Sequence, residues 1–173
     1  MRGAMQFKVT FSSEFMVFRG SGYCCYGVPM SRLGEFISTM KSTLVPGYKR
    51  TKVKVTSGGY HRTAIARRKP CAPIQKWLSH FQDNGRDRET TVLYYGVGRD
   101  SAGEFALRAT SYDPYHPSPW VRAKPINSVY QEVHCHFVLN VVPKEEAIAI
   151  LKDIKKFMTN DGLLILSVRT TFK

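Results

Sequence analysis

The sequence predicts an α+β fold, and three observations carry that expectation. Short runs in which apolar and polar residues alternate recur along the chain, as in Phe7-Lys8-Val9-Thr10-Phe11 and Lys52-Val53-Lys54-Val55. Helical spacing is confined to three segments, residues 31–46, 73–81 and 143–157. Several strand-like runs follow one another with no helix between them, which favours hairpins over alternating βαβ units. We therefore expect a mostly antiparallel sheet with helices packed on one face, ferredoxin-like in part. The 173 residues suit a single domain, with no internal boundary.

Residues 6–11 alternate cleanly and read as a strand, and the apolar run Phe15-Met16-Val17-Phe18 continues it or forms a buried loop. Gly20, Gly22 and Gly27 surround Tyr23-Cys24-Cys25-Tyr26, which suggests a flexible aromatic segment. Ser31 can cap a helix bearing Leu33, Phe36, Ile37, Met40 and Leu44, ended by Pro46-Gly47. Residues 49–56 form a second strand with one cationic face, closed by the turn Ser57-Gly58-Gly59. Pro73 suits the first turn of a short helix with Ile74, Trp77, Leu78 and Phe81 on one side. Residues 90–97 and 104–110 read as two strands of a hairpin. Residues 111–127, with four prolines, read as a long loop. Residues 129–142 are strand-like. Pro143 then opens a helix with Ala147, Ile150, Leu151, Ile154 and Phe157 buried. Asn160-Asp161-Gly162 should stop that helix before a last strand at 163–170.

The charge is unevenly distributed. The formal net charge is +13, yet residues 1–76 hold 14 Lys and Arg against two acids, while residues 77–173 hold 12 against 11. No Asp or Glu occurs between Phe36 and Gln82. A surface built only for solubility mixes both signs. A one-sign stretch suits a polyanion. Aromatics lie within two residues of cations at Tyr48-Lys49-Arg50, Tyr60-His61-Arg62 and Trp120-Val121-Arg122, so phosphate contact and base stacking can come from one surface. The expected nucleic-acid contacts, to DNA or RNA, are Lys49, Arg50, Lys52, Lys54, Tyr60, Arg62, Arg67, Arg68, Lys69, Trp120 and Arg122. No segment concentrates Arg, Asn and Gln as a groove-reading helix would. Residues 60–70 also align without gaps to residues 115–125, sharing Tyr, His, Arg, Lys and Pro, as two related anion-binding loops would.

The sharpest chemical motif is Val133-His134-Cys135-His136-Phe137. Strand period two puts His134 and His136 on one face, where they could share a divalent metal with a third ligand such as His116. This His-x-His strand resembles the metal motif of the HUH superfamily of single-strand DNA nickases. The resemblance implies Mg or Mn as cofactor and a tyrosine nucleophile forming a phosphotyrosine intermediate. In initiator-type members that tyrosine follows the histidines, but here the last tyrosine is Tyr130. Tyr23 and Tyr26 match the relaxase-type order, with the tyrosine near the N-terminus.

Four cysteines at this length make no disulfide scaffold, and no C-x2-C pair marks a zinc finger. Walker A, Rossmann and Gly-x-Ser-x-Gly patterns are absent. No apolar run is long enough to span a bilayer, and the first residues do not read as a secretory signal, so an intracellular protein with no membrane partner is expected. The leading expectation is a nucleic-acid-binding protein. The alternatives are a metal-dependent nickase and a viral or mobile-element inhibitor that clamps an acidic protein surface.

Overall fold

The computed structural model describes residues 15–42, 66–81, 89–114 and 128–169. Over these residues the chain runs β1 (Met16–Gly20), β2 (Tyr23–Pro29), a single 3-10 turn (Met30–Arg32), α1 (Leu33–Ser42) and α2 (Ala72–Phe81). It continues through β3 (Val92–Tyr95), α3 (Ser101–Leu107), β4 (Thr110–Tyr112), β5 (Tyr130–His136), α4 (Lys144–Lys155) and β6 (Met158–Arg169). The strands form one six-stranded sheet in the order β1-β2-β6-β5-β3-β4.

The α+β class expected from the sequence holds. The sheet is mixed: β1, β2 and β6 pair antiparallel, while β6, β5, β3 and β4 run parallel. Helices cover both faces rather than one. On one face α1 and α4 bury Leu33, Phe36, Ala147, Ile150, Leu151 and Ile154 against Tyr26, Val133, Cys135 and Leu166. On the other, α2 and α3 bury Ile74, Trp77 and Leu107 against Tyr94, Cys25 and Ile165. Strands buried on both faces lose strict alternation. That is why Tyr23-Cys24-Cys25-Tyr26, expected to be flexible, is instead a fully buried strand.

Two further expectations change. The proposed hairpin of residues 90–97 and 104–110 is instead a crossover through a helix, β3-α3-β4, with β3 and β4 parallel. Asp100 drives this, since its carboxylate accepts from the Gly103 N–H at 2.9 Å and caps α3. Gly103 is required there, because a Cβ would meet Asp100 Oδ2 at 2.8 Å and Ile74 Cδ1 at 2.9 Å. Asn160-Asp161-Gly162 does not stop a helix, because α4 has already ended at Lys155. These residues form an irregularity in β6, opposite the step from Tyr130 to Glu132 in β5. The strand expected at 6–11, the strand at 49–56, most of the proline loop and the paired segments 60–70 and 115–125 lie largely or wholly outside the described residues.

The crossovers set up one further feature. The β3-to-β4 connection places α3 on the α2 face, whereas the β5-to-β6 connection places α4 on the opposite face. The sheet's winding therefore reverses between β3 and β5. The loops after those strands touch there: Gly96 has φ +70°, and a Cβ on it would lie 2.4 Å from Val138 Cγ2.

Candidate functional site

Strand period two puts Glu132, His134 and His136 on the face of β5 that α2 covers. The parallel register then sets Ser167 of β6 directly beside His136. The four side chains form one hydrogen-bonded line. Glu132 Oε1 lies 2.5 Å from His134 Nε2. His134 Nδ1 lies 2.9 Å from His136 Nε2, and His136 Nδ1 lies 2.9 Å from Ser167 Oγ. With Glu132 ionised and both rings neutral, one proton assignment fills every gap: Ser167 donates to His136, His136 to His134, and His134 to Glu132.

The line is buried, with His134 0% and Ser167 1% exposed. Trp77 of α2 meets the His134 ring edge-on at 5.9 Å, and Tyr94 of β3 meets the His136 ring at 5.8 Å. Burial, and secondarily the repulsion that a protonated His134 would exert, holds His136 well below the ordinary imidazole range. A hydroxyl, a neutral base and a carboxylate-backed orienting ring form the nucleophile–base–orienter order of covalent catalysis. Here α2 covers it, with Trp77 against His134. At its end Phe137 adopts φ +60°, a left-handed conformation that is uncommon for a bulky residue. Its N–H donates to Ser167 O at 2.9 Å.

His134 and His136 thus share a face, as the sequence indicated, and their nitrogens face one another, Glu132 and Ser167. Among the described residues no group of three His, Cys, Asp or Glu side chains is arranged to hold a metal. His116 lies outside those residues. Of the two candidate tyrosines, Tyr23 packs on the histidine side of the sheet with Cys25 and Trp77. Tyr26 packs on the opposite side with Phe36. Burial raises the titration of both, reinforced at Tyr23 by Cys25 and Cys71 and at Tyr26 by Cys24. All four cysteines are buried free thiols. Burial pushes Cys25 and Cys135 up to about 12 and Cys71 up to about 11.

The exposed side of the same region is cationic. Residues 66–81 carry Arg67, Arg68, Lys69 and Lys76 and no acid. Arg68 and Lys69 are exposed just ahead of α2. Arg67 Nε reaches to 4.0 Å from Asp100 Oδ2 at the start of α3. Lys76 Nζ donates to the Arg19 carbonyl at 3.0 Å and stands over the Phe18 ring at 5.0 Å. By contrast, α4 interleaves three lysines with three acids. The other expected contacts, Lys49, Arg50, Lys52, Lys54, Tyr60, Arg62, Trp120 and Arg122, lie outside the described residues.

Sequence reasoning missed Glu132 and Ser167. Glu132 was within reach, as it precedes His134 by one strand period. Ser167 becomes a neighbour only through the pairing of β5 with β6, 31 residues away from His136. No known family model, curated protein or solved structure matches the chain.

Proposed function

We propose that the protein binds nucleic acid, seating phosphates on the cationic surface at and before α2. The observation that supports this reading most is the segregation of sign. Residues 66–81 present four Lys and Arg without one acid, while α4 on the opposite face carries equal numbers of both. Lys and Arg on such a surface neutralise phosphates and release counterions, and this gives affinity without base reading. In sequence the acid-free stretch runs from Phe36 to Gln82, and the cations at 49–54 and Arg62 fall within it.

The test is fluorescence anisotropy with labelled oligonucleotides at low salt. Reversing Arg68 and Lys69 to Glu should weaken binding at least tenfold, while reversing Lys152 and Lys155 should weaken it far less. Equal losses would mean that total charge alone counts. Binding to an acidic protein but to no oligonucleotide would give the surface to a protein partner instead.

A further inference from the structure

One side chain on the α2 face stands apart from the rest. Phe105, in α3, is 87% exposed, more than any other large apolar residue described. The helix has an inner and an outer side. Gly103 and Leu107 are buried, with Gly103 against Ile74 of α2 and Leu107 in the same apolar cluster. Ser101, Phe105 and Arg108 are exposed on the other side, spaced four and three residues apart as one helical stripe requires. Arg99 and Arg108, both exposed, bracket the helix at its two ends, with the buried Asp100 and the half-buried Glu104 between them. Arg67 approaches Asp100, the N-cap of this helix, at 4.0 Å. The cationic run 67–69 therefore borders α3.

A phenyl ring exposed to this degree gains free energy from an apolar or aromatic face that covers it. Aromatic rings set among arginines are what single-stranded nucleic acid uses: cations hold the backbone while the ring takes the face of an unpaired base. A duplex offers such a face only at its ends, because its interior bases are already stacked on one another.

We propose that Phe105 is a base-stacking site, so that the polyanion held by the α2 face is a single strand. This deepens the nucleic-acid reading above and rests on it. The phosphates lie along Arg67, Arg68, Lys69, Arg99 and Arg108, and one base leaves the strand to cover the phenyl ring.

The experiment compares three ligands of equal length at one low salt concentration: a single-stranded oligonucleotide, its duplex, and an abasic single-stranded phosphodiester. The wild-type protein should bind the base-bearing single strand tightest. Phe105→Ala should weaken that binding about fivefold or more and leave the abasic strand unchanged. Phe105→Tyr should keep the wild-type value, because the ring remains. Because Phe105 is exposed, the variants should melt at the wild-type temperature, and a melt checks this. The proposal is overturned if Phe105→Ala binds the base-bearing strand as well as wild type does. It is also overturned if the abasic strand binds equally tightly. In either case, continued weakening by charge reversal at Arg68 and Lys69 would leave the phosphate-binding reading standing. Absence of binding to all three ligands removes both.

Discussion

His134 Nδ1 and His136 Nε2 lie 2.9 Å apart inside the sheet–helix interface, so each imidazole is the other's hydrogen-bond partner. The pair holds one proton between its rings when both are neutral. Protonating both rings would put two N–H groups face to face across that gap.

Acid sensitivity follows. Burial depresses His136 in the folded state, whereas the unfolded chain titrates near the ordinary imidazole value of about 6.5. In the window between those values the unfolded state binds more protons, so stability falls as pH falls. The contribution is fully present above about pH 6.5 and is lost progressively below it, down through the depressed folded value. Thermal melts should show a declining Tm below that point. His136→Gln should flatten the decline, and an unchanged slope in that variant would count against His136 as its source.

The carboxylate end of the line should also matter. Glu132→Ala leaves His134 Nε2 without its acceptor in a buried site, which costs about 1–3 kcal/mol. Glu132→Gln keeps a carbonyl acceptor and should cost less. Urea denaturation of the two variants measures the difference.

Asp100 holds two hydrogen bonds beside its approach to Arg67. Its carboxylate caps α3 through Gly103 N–H and accepts from the Tyr94 hydroxyl at 3.0 Å. Asp100→Ala loses the cap and strands a buried hydroxyl, together about 2–4 kcal/mol. Asp100→Asn retains an acceptor oxygen and should recover much of that loss, as read by the same denaturation.

The cysteines should be silent in the native protein. All four are buried, and burial keeps Cys25, Cys71 and Cys135 protonated at neutral pH. Iodoacetamide should label none of them before unfolding and all four in denaturant, counted by intact mass.

The helices that could be read from the sequence are those with a sustained apolar stripe. α1, α2 and α4 follow from Leu33-Phe36-Ile37, Ile74-Trp77 and Ala147-Ile150-Leu151-Ile154. α3 escaped because it is seven residues long and turns a glycine toward the core. Its Asp100 cap was the signal available. β2 escaped because helices on both faces remove the alternation that marks a half-buried strand. The shared face of His134 and His136 came directly from strand period. Their partner Ser167 did not, because strand register is a tertiary property. The charge asymmetry needed no structure to be seen; what the structure adds is that Arg67, Arg68, Lys69 and Lys76 lie at or just ahead of α2.

The most direct test of the account is the salt dependence of oligonucleotide binding. Phosphate contacts through Arg67, Arg68, Lys69 and their neighbours predict that log K falls linearly with log salt, by about 0.7 per contacted phosphate on a single strand. Charge reversal at Arg68 and Lys69 should make that slope shallower. Binding that is absent at low salt, or that does not change with salt, would contradict the account.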